Sequence, residues 1–457
     1  LTIMKRKNIS ITGSENFFCP FFYIINSFLK LLGSFMDNQL VMIKHVSIVL
    51  ALVTITSFVY PDEFDIPDGY YDPSEGLFGI ELKTALYEII NDHDSQSNSS
   101  LWTHFQSTDV KTNSKVWDMY SDIPNGTPPY EFTFVTDQCG NYSQEGDCYN
   151  REHSWPSSWF DDNYPMKTDL LHVYPTDGYV NNRRANYPFG EVGTSTWVSE
   201  NGSKVGSCSY PDCEGTVFEP IDEYKGDFAR TYFYMSTRYF GEDSGWDENQ
   251  MVDGAELKPL AVNLLMVWHE SDPVSEKELN RNEAVFEIQG NRNPYIDHPE
   301  YVDRVWRAAT INVVSLVNWN MVGLPLAVDD PSYQTIFPSS VGGTLYSYNS
   351  AYIPETELIQ GNGYWLRFQE AGSVQITGVE TDQLHILLTE GWNMISGISS
   401  AINVSNIIDP EDLILPNSIY GFETNYYSVN SIEPGKGYWV RSDGTGEIII
   451  TVPASRE

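Results

Sequence analysis

Residues 148–160 read CYNREHSWPSSWF. A carboxylate, Glu152, stands directly before a histidine, His153, with Arg151 on its other side, and two tryptophans and a proline follow at once. A neutral histidine near pH 7 can take a proton from water, and a carboxylate beside it can hold a hard cation. The same triplet would also suit a solvated loop. The stretch at residues 166–193, MKTDLLHVYPTDGYVNNRRANYPFGEVG, decides between the two. DLLHVYP predicts a short strand ended by Pro175, and TDGYVNNRRAN predicts a helical turn behind it. That turn gathers Asn181, Asn182, Arg183, Arg184 and Asn186 into a basic, amide-rich patch. A hairpin carrying a histidine, followed by a helix carrying a carboxamide, is a layout for metal-assisted phosphodiester hydrolysis. Mg²⁺ takes oxygen ligands, keeps several waters and needs only one or two protein groups besides substrate phosphate. Arginines hold the phosphate oxygens.

The rest of the chain sets the context. Its 457 residues suffice for two or three domains with cores of their own. The formal net charge of −37 argues against a polyanionic partner bound by the body as a whole, so any nucleic-acid site has to be a local basic patch. Residues 42–60 predict a secretory signal: Met42-Ile43-Lys44-His45 is basic, and VSIVLALVTITSFVY is apolar but short for a membrane span. Residues 1–41 are read as an upstream extension, or else as an N-terminal anchor built on the apolar patch around residues 17–35. Export agrees with the cysteines. Beyond the leader four remain, and the close pairs Cys139/Cys148 and Cys208/Cys213 predict two local disulfides. Neither spacing is a CxxC, and no nearby histidine completes a zinc set.

Residues 61–307 read as one mixed α/β region. Helices are predicted over 73–93 (capped by Ser74, with Leu77, Ile80, Leu86 and Ile89 inward), from Phe228, and from Ser275, where Glu278 stands at the capping-box position. EFTFV, residues 131–135, alternates as a strand does. Near Ala308 helical patterning stops and an internal repeat begins. VNWNMVGLPL from Val317 matches EGWNMISGIS from Glu390, and GNGYWLRF from Gly361 matches GKGYWVRS from Gly435. The offsets, 73 and 74 positions, predict two small β-rich repeat modules at 308–380 and 381–457. Their repeated Trp and Tyr residues are read as core rather than as a ligand platform. The fold class is α+β.

Six ordered segments carry a resemblance. They are EGLFGIELK from Glu75, VWDMYSD from Val116, CGNYSQEGDCYNREHSWPSSWF from Cys139, DLLHVYPTDGYVNNRRANYPFG from Asp169, KGDFARTYFYM from Lys225 and QGNRNPYIDHPEYV from Gln289. From about residue 70 to 306 the chain resembles the bacterial endonuclease I family of secreted nucleases with a ββα-metal (His-Me finger) active site. The resemblance implies that His153 is the general base. Glu152 and Asn181 would hold one Mg²⁺, with Mn²⁺ or Ca²⁺ as substitutes, and attack would leave 5′-phosphate and 3′-hydroxyl ends. Activity should then fall below the pKa of His153, whose other ring nitrogen needs a hydrogen bond, expected from a backbone carbonyl. Asn182 stays open as the ligand, with Asn181 as a cap. Arg184 and Arg230 are the first candidates for phosphate contacts, then Arg151 and Arg183; Arg230 could instead pair with Asp227 or a neighbouring acid. His172 and His298 are read as structural.

The implied substrate is DNA, with RNA cleavage open because metal-assisted attack needs no 2′-hydroxyl, and with little base preference because phosphate contacts carry no sequence information. The expected state is a secreted monomer that meets a cell surface or the secretion machinery through its repeats. The competing readings are a secreted ribonuclease on the same scaffold and a surface adhesin whose nuclease-like domain binds without cutting.

Overall fold

The first long helix, α1 (Gly79–Ile90), begins later than the Ser74 cap predicts. The computed structural model describes residues 66–452, so the expected leader, residues 1–60, lies outside it. Ser74 is buried and is no cap. Its Oγ donates to Tyr71 O at 2.7 Å and meets the Tyr301 hydroxyl at 3.0 Å. The inward face is also rotated from the predicted one: Leu82, Lys83, Leu86 and Ile90 are buried, while Ile80 is exposed. Lys83 explains the rotation. Its ammonium donates to Glu256 at 2.7 Å and Ser236 at 3.0 Å, and it lies over the Phe240 and Trp306 rings. An amphipathic lysine with that many partners can occupy a core-facing position.

EFTFV forms no strand. Asp137 accepts from Thr133 N at 2.6 Å, and Val135 adopts φ +68°, so side chain-to-backbone bonding turns the chain there. After α2 (Leu101–Thr108) come two strands, β1 (Tyr149–His153) and β2 (Val173–Asp177), paired antiparallel, then α3 (Gly178–Arg184). β2 runs through Pro175 rather than ending at it. In a two-stranded sheet one side of each strand carries no ladder, so a missing N–H is tolerated. A three-stranded antiparallel sheet follows, ordered β3 (Val192–Val198), β4 (Lys204–Cys208), β5 (Thr216–Glu219).

The core gathers around α4 (Lys225–Arg238), which is buried along its whole length. It packs against α5 (Pro259–Ser271), and Phe228 and Tyr232 meet Phe189 with ring centroids 4.9 and 5.3 Å apart. Full burial of such a side chain stabilises by about 1.5–3 kcal/mol. Helix α6 (Glu276–Gln289) starts as its sequence signals: the Glu278 carboxylate accepts from Ser275 N at 2.9 Å, and Ser275 Oγ accepts from Glu278 N.

From Ala308 the described chain is mainly strands. A four-stranded sheet has the order β9 (Tyr352–Pro354), β8 (Tyr346–Tyr348), β10 (Tyr364–Phe368), β7 (Asn318–Val322), beside a pair made of β6 (Ala308–Ser315) and β11 (Gly372–Val379). The order recurs as β15 (Tyr426–Ser428), β14 (Tyr420–Phe422), β16 (Gly437–Ser442), β13 (Gly391–Ser396), with β12 (Gln383–Leu388) paired to β17 (Gly446–Thr451). Each sheet has an apolar core of its own, one around Leu326 and Leu366, the other around Ile398 and Ile448. No helix among the described residues is long and apolar enough to cross a membrane.

The two expected disulfides form, Cys139–Cys148 and Cys208–Cys213. The first closes a loop with a sequence separation of 9, directly ahead of β1. Replacing Cys139 and Cys148 together with serine should cost about 2–3 kcal/mol through loop-closure entropy. Thermal melting of the double variant checks this. An unchanged melting temperature would mean that Asp147, which accepts from Ser143 N and Gln144 N, holds the loop unaided.

Candidate active site

The site is built on the β1–β2 hairpin and the helix after it. In the register Glu152 lies opposite Tyr174 and His153 opposite Val173. Asp177 ends β2, opposite Tyr149, and caps α3, accepting from Tyr179 N at 2.7 Å and Val180 N at 2.8 Å. Gly178 is required at the helix start, since a Cβ there would meet the Tyr142 ring at 2.6 Å. Beyond β1, Trp155, Trp159 and Phe160 are buried and fix the departing chain in the core.

His153 is half-buried, and its Nε2 lies 3.1 Å from the Lys167 carbonyl, the kind of partner expected for the second ring nitrogen. A carbonyl oxygen only accepts, so Nε2 carries the hydrogen and Nδ1 keeps a free lone pair. Burial first, and then the neighbouring His172, push the imidazolium pKa down to about 3. The ring is therefore neutral across the physiological range and able to receive a proton. His172 is fully buried 5.7 Å away, with Nε2 2.6 Å from Met166 O.

Glu152 is buried, and its two partners share one oxygen: the Tyr120 hydroxyl donates to Oε1 at 2.8 Å, and Arg184 Nη1 lies 3.1 Å from it. Burial pushes its carboxyl up to about 7, while Arg184 and Tyr120 pull it down. Oε2 accepts nothing among the described residues. Asn181 shows a similar division. Its Nδ2 donates to Asn150 Oδ1 at 2.8 Å and Arg151 O at 3.2 Å, which leaves Oδ1 without a donor among the described residues. Asn182 is exposed on the same helix. Among the described residues no group of three or more His, Cys, Asp or Glu side chains could hold a metal ion. One carboxylate oxygen and one amide oxygen do fit the small protein share of a Mg²⁺ shell.

Residues 78–300 match the family model described as Endonuclease I. An extracellular ribonuclease of Bacillus subtilis (strain 168) is 35% identical over 246 residues, covering 52% of this chain and 78% of that relative. The chain belongs to the endonuclease I family. Endonuclease-1 of Buchnera aphidicola subsp. Acyrthosiphon pisum is 29% identical over 132 residues, covering 29% of this chain and 45% of its own. A periplasmic deoxyribonuclease of Aeromonas hydrophila is 30% identical over 134 residues, covering 29% and 48%. The chain is thus a nuclease, and its substrate is a nucleic acid.

Within this endonuclease I domain the four candidate arginines part company. Arg230 does not reach the site. It is fully buried in α4, with Nε 2.5 Å from Glu278 Oε1 and Nη2 2.8 Å from Glu278 Oε2, so its expected phosphate contact gives way to the ion pair with a neighbouring acid. Arg184 reaches the site but from behind. Besides Glu152 it donates to the carbonyls of His153, at 2.9 Å, and Ser154, and its guanidinium lies over Phe189. At 1% exposure it has no face for a phosphate, and it instead ties the end of β1 to α3. Arg151 is half-buried, donating to Asn98 O and Oδ1 and lying over Trp102. Arg183 alone of the four is exposed, stacked over Tyr179. His298 stacks on Tyr301 at 4.7 Å and is structural. Sequence reasoning missed Tyr120, which grips Glu152, and Asp118, whose Oδ2 accepts from Asp177 N at 3.0 Å. Both stand in VWDMYSD, a segment conspicuous in the sequence but without a legible role.

Proposed function

We infer that the chain is a secreted, Mg²⁺-dependent endonuclease with a His-Me finger centre, cutting DNA chiefly and RNA through the same residues. The observation that carries this reading is the coincidence, on one hairpin–helix unit, of three acceptors without a donor among the described residues: Nδ1 of His153, Oε2 of Glu152 and Oδ1 of Asn181. Glu152 and Asn181 would hold the metal, which when bound offsets charge on the scissile phosphate and on the leaving 3′ oxygen. His153 receives the proton of the attacking water at Nδ1, while the Lys167 carbonyl fixes its tautomer. Arg184 holds the Glu152 carboxylate and the His153 carbonyl in one frame. Arg183, exposed at the end of α3, would meet the substrate backbone. In-line attack leaves 5′-phosphate and 3′-hydroxyl ends.

Support for RNA comes from relatives named extracellular ribonucleases, and support for DNA from relatives named deoxyribonucleases. Those same names, with the apolar segment at residues 46–60, support export. The two C-terminal sheets, with their shared strand order, fit a pair of repeat modules.

The test is nicking of supercoiled plasmid, with a parallel RNA substrate, in Mg²⁺ and in EDTA. Cleavage of either should vanish in EDTA. Loss even of an outer partner of a metal ligand costs on the order of 10–100-fold in metal affinity. Asn181→Ala should therefore raise the Mg²⁺ needed for half-maximal rate by at least that much, and Asn182→Ala should leave it unchanged. Equal effects of the two variants would remove Asn181 from the metal site, and full activity in EDTA would remove the metal.

A further inference from the structure

Two cavities lie in the C-terminal strands, and every residue lining them is aromatic. One, of about 440 Å³, is walled by Trp392, Tyr420, Tyr426 and Trp439, closed by Tyr348 and Tyr352 from the preceding unit. The other, of about 560 Å³, is walled by Trp319, Tyr346, Tyr352 and Trp365, closed by Phe422 and Tyr426 from the following unit. The repeat offsets of 73 and 74 carry one set into the other, position for position, with Phe422 standing for Tyr348. Exchanging the two units therefore exchanges the two cavities. Each is completed across the boundary, and Tyr352 and Tyr426 belong to both.

The rings are not all core. Trp365 and Trp439 are buried against Met321 and Met394, but Trp319 and Trp392 are 39% and 41% exposed, and Tyr352 and Tyr426 are 55% and 54% exposed. Duplicated aromatic walls left open to solvent mark a binding surface rather than packing.

Charge selects the ligand. Residues 308–457 contain 16 acidic and 4 basic side chains, which disfavours a polyanion. A cation already stands beside each wall tryptophan: Arg441 lies over Trp392 at 5.9 Å, and Arg367, its repeat equivalent, is the cross-strand neighbour of Trp319. That disfavours a cationic guest, which would meet a like charge at the mouth. A neutral ligand with flat apolar faces remains. It should also carry hydroxyl groups, because Tyr352 and Tyr426, which stand in both cavities, bring phenolic hydroxyls that donate and accept. Sugar rings meet all of these conditions, with C–H faces for stacking and hydroxyl groups for the tyrosine hydroxyls.

We propose that the two aromatic cavities are equivalent binding sites for pyranose rings of a neutral polysaccharide, holding the nuclease on a carbohydrate matrix by two weak contacts acting together. Two linked sites raise avidity well above either one, by on the order of 10²–10⁴-fold. The proposal does not depend on the metal or on the choice between DNA and RNA.

The test is co-sedimentation of the full chain with cellulose, chitin, curdlan and insoluble xylan. Retention is expected on at least one of them. Trp319→Ala and Trp392→Ala, each removing one wall, should each weaken it at least about tenfold. Tyr352→Ala, which opens both cavities, should weaken it more than either. All three positions are exposed, and thermal unfolding of each variant that superimposes on wild type reports that the C-terminal strands are folded. Retention on none of the four, or retention equal to wild type in all three variants, overturns the proposal. So does binding to immobilised single-stranded DNA, a proline-rich peptide or a quaternary ammonium resin with none to the polysaccharides, which would give the cavities to that ligand.

Discussion

His153→Ala is expected to lower the rate of plasmid nicking by about 10²–10⁴-fold, the range a positioned general base contributes. The imidazole is held neutral, oriented by a backbone carbonyl and left with an unoccupied ring nitrogen; His172 shares these features but is fully buried, whereas His153 is partly open to solvent. Its removal should disturb the fold less than that of fully buried His172, because its side chain makes a single hydrogen bond among the described residues, to the Lys167 carbonyl. A melting temperature within a few degrees of wild type would separate lost chemistry from lost structure. His172→Ala should do the reverse. That ring is fully buried, and its removal opens a cavity and takes one of two donors from the Met166 carbonyl, the other being Asp169 N, so stability should fall by about 1–3 kcal/mol. Activity of the fraction still folded should survive. If His153→Ala cut plasmid at the wild-type rate while His172→Ala, folded, did not, the base would be His172.

These contrasts rest on features of unequal legibility. The adjacency of Glu152 and His153, and the carboxamide on the next helix, are local facts, and a hairpin followed by a capped helix brings them together with few other contacts. The capping box at Ser275 is local in the same way. Ser74 was misread because a serine ahead of an apolar run is only a candidate cap, and its hydroxyl is taken here by Tyr71 and by Tyr301, more than 200 residues on. EFTFV has the alternation of a strand but lacks a partner strand; Asp137 turns it instead. The arginines show the same limit. Arg183 and Arg184 are neighbours in sequence, yet one faces solvent and the other is enclosed by Glu152, Tyr232 and two carbonyls, drawn from β1, the bend after it and α4. A basic patch in sequence becomes a basic patch in space only where the fold leaves the charges outside. The aromatic cavities were hidden for a related reason. Each repeat supplies most of one wall, but the cavity closes only where the two units meet.

Glu278→Ala is expected to destabilise the nuclease domain by about 3–5 kcal/mol, because it leaves Arg230 charged and unpaired in the core. The pair is enclosed on every side. Arg230 is fully buried, its Nη1 also donates to Asp272 O at 2.8 Å, and it faces His269 Nδ1 at 3.2 Å. Arginine only donates, so His269 must present a lone pair there. Burial, then Arg230, holds the His269 pKa down at about 4, which keeps it neutral. The same carboxylate closes the capping box of α6, so its loss frees Ser275 N as well. In a domain of this size the loss should lower the melting temperature by roughly 10 °C. Replacing both partners, Arg230→Met with Glu278→Leu, should recover most of it, since apolar packing of similar volume often matches a buried pair. The double variant also separates the two readings of Arg230. As a core ion-pair member it can be exchanged with its partner without changing DNA affinity. As a phosphate contact its loss would weaken DNA binding and lower the salt dependence of that binding by about one phosphate's worth. A folded double variant that binds DNA as wild type does, with the same salt slope, places Arg230 in the core; a reduced slope would return it to the substrate.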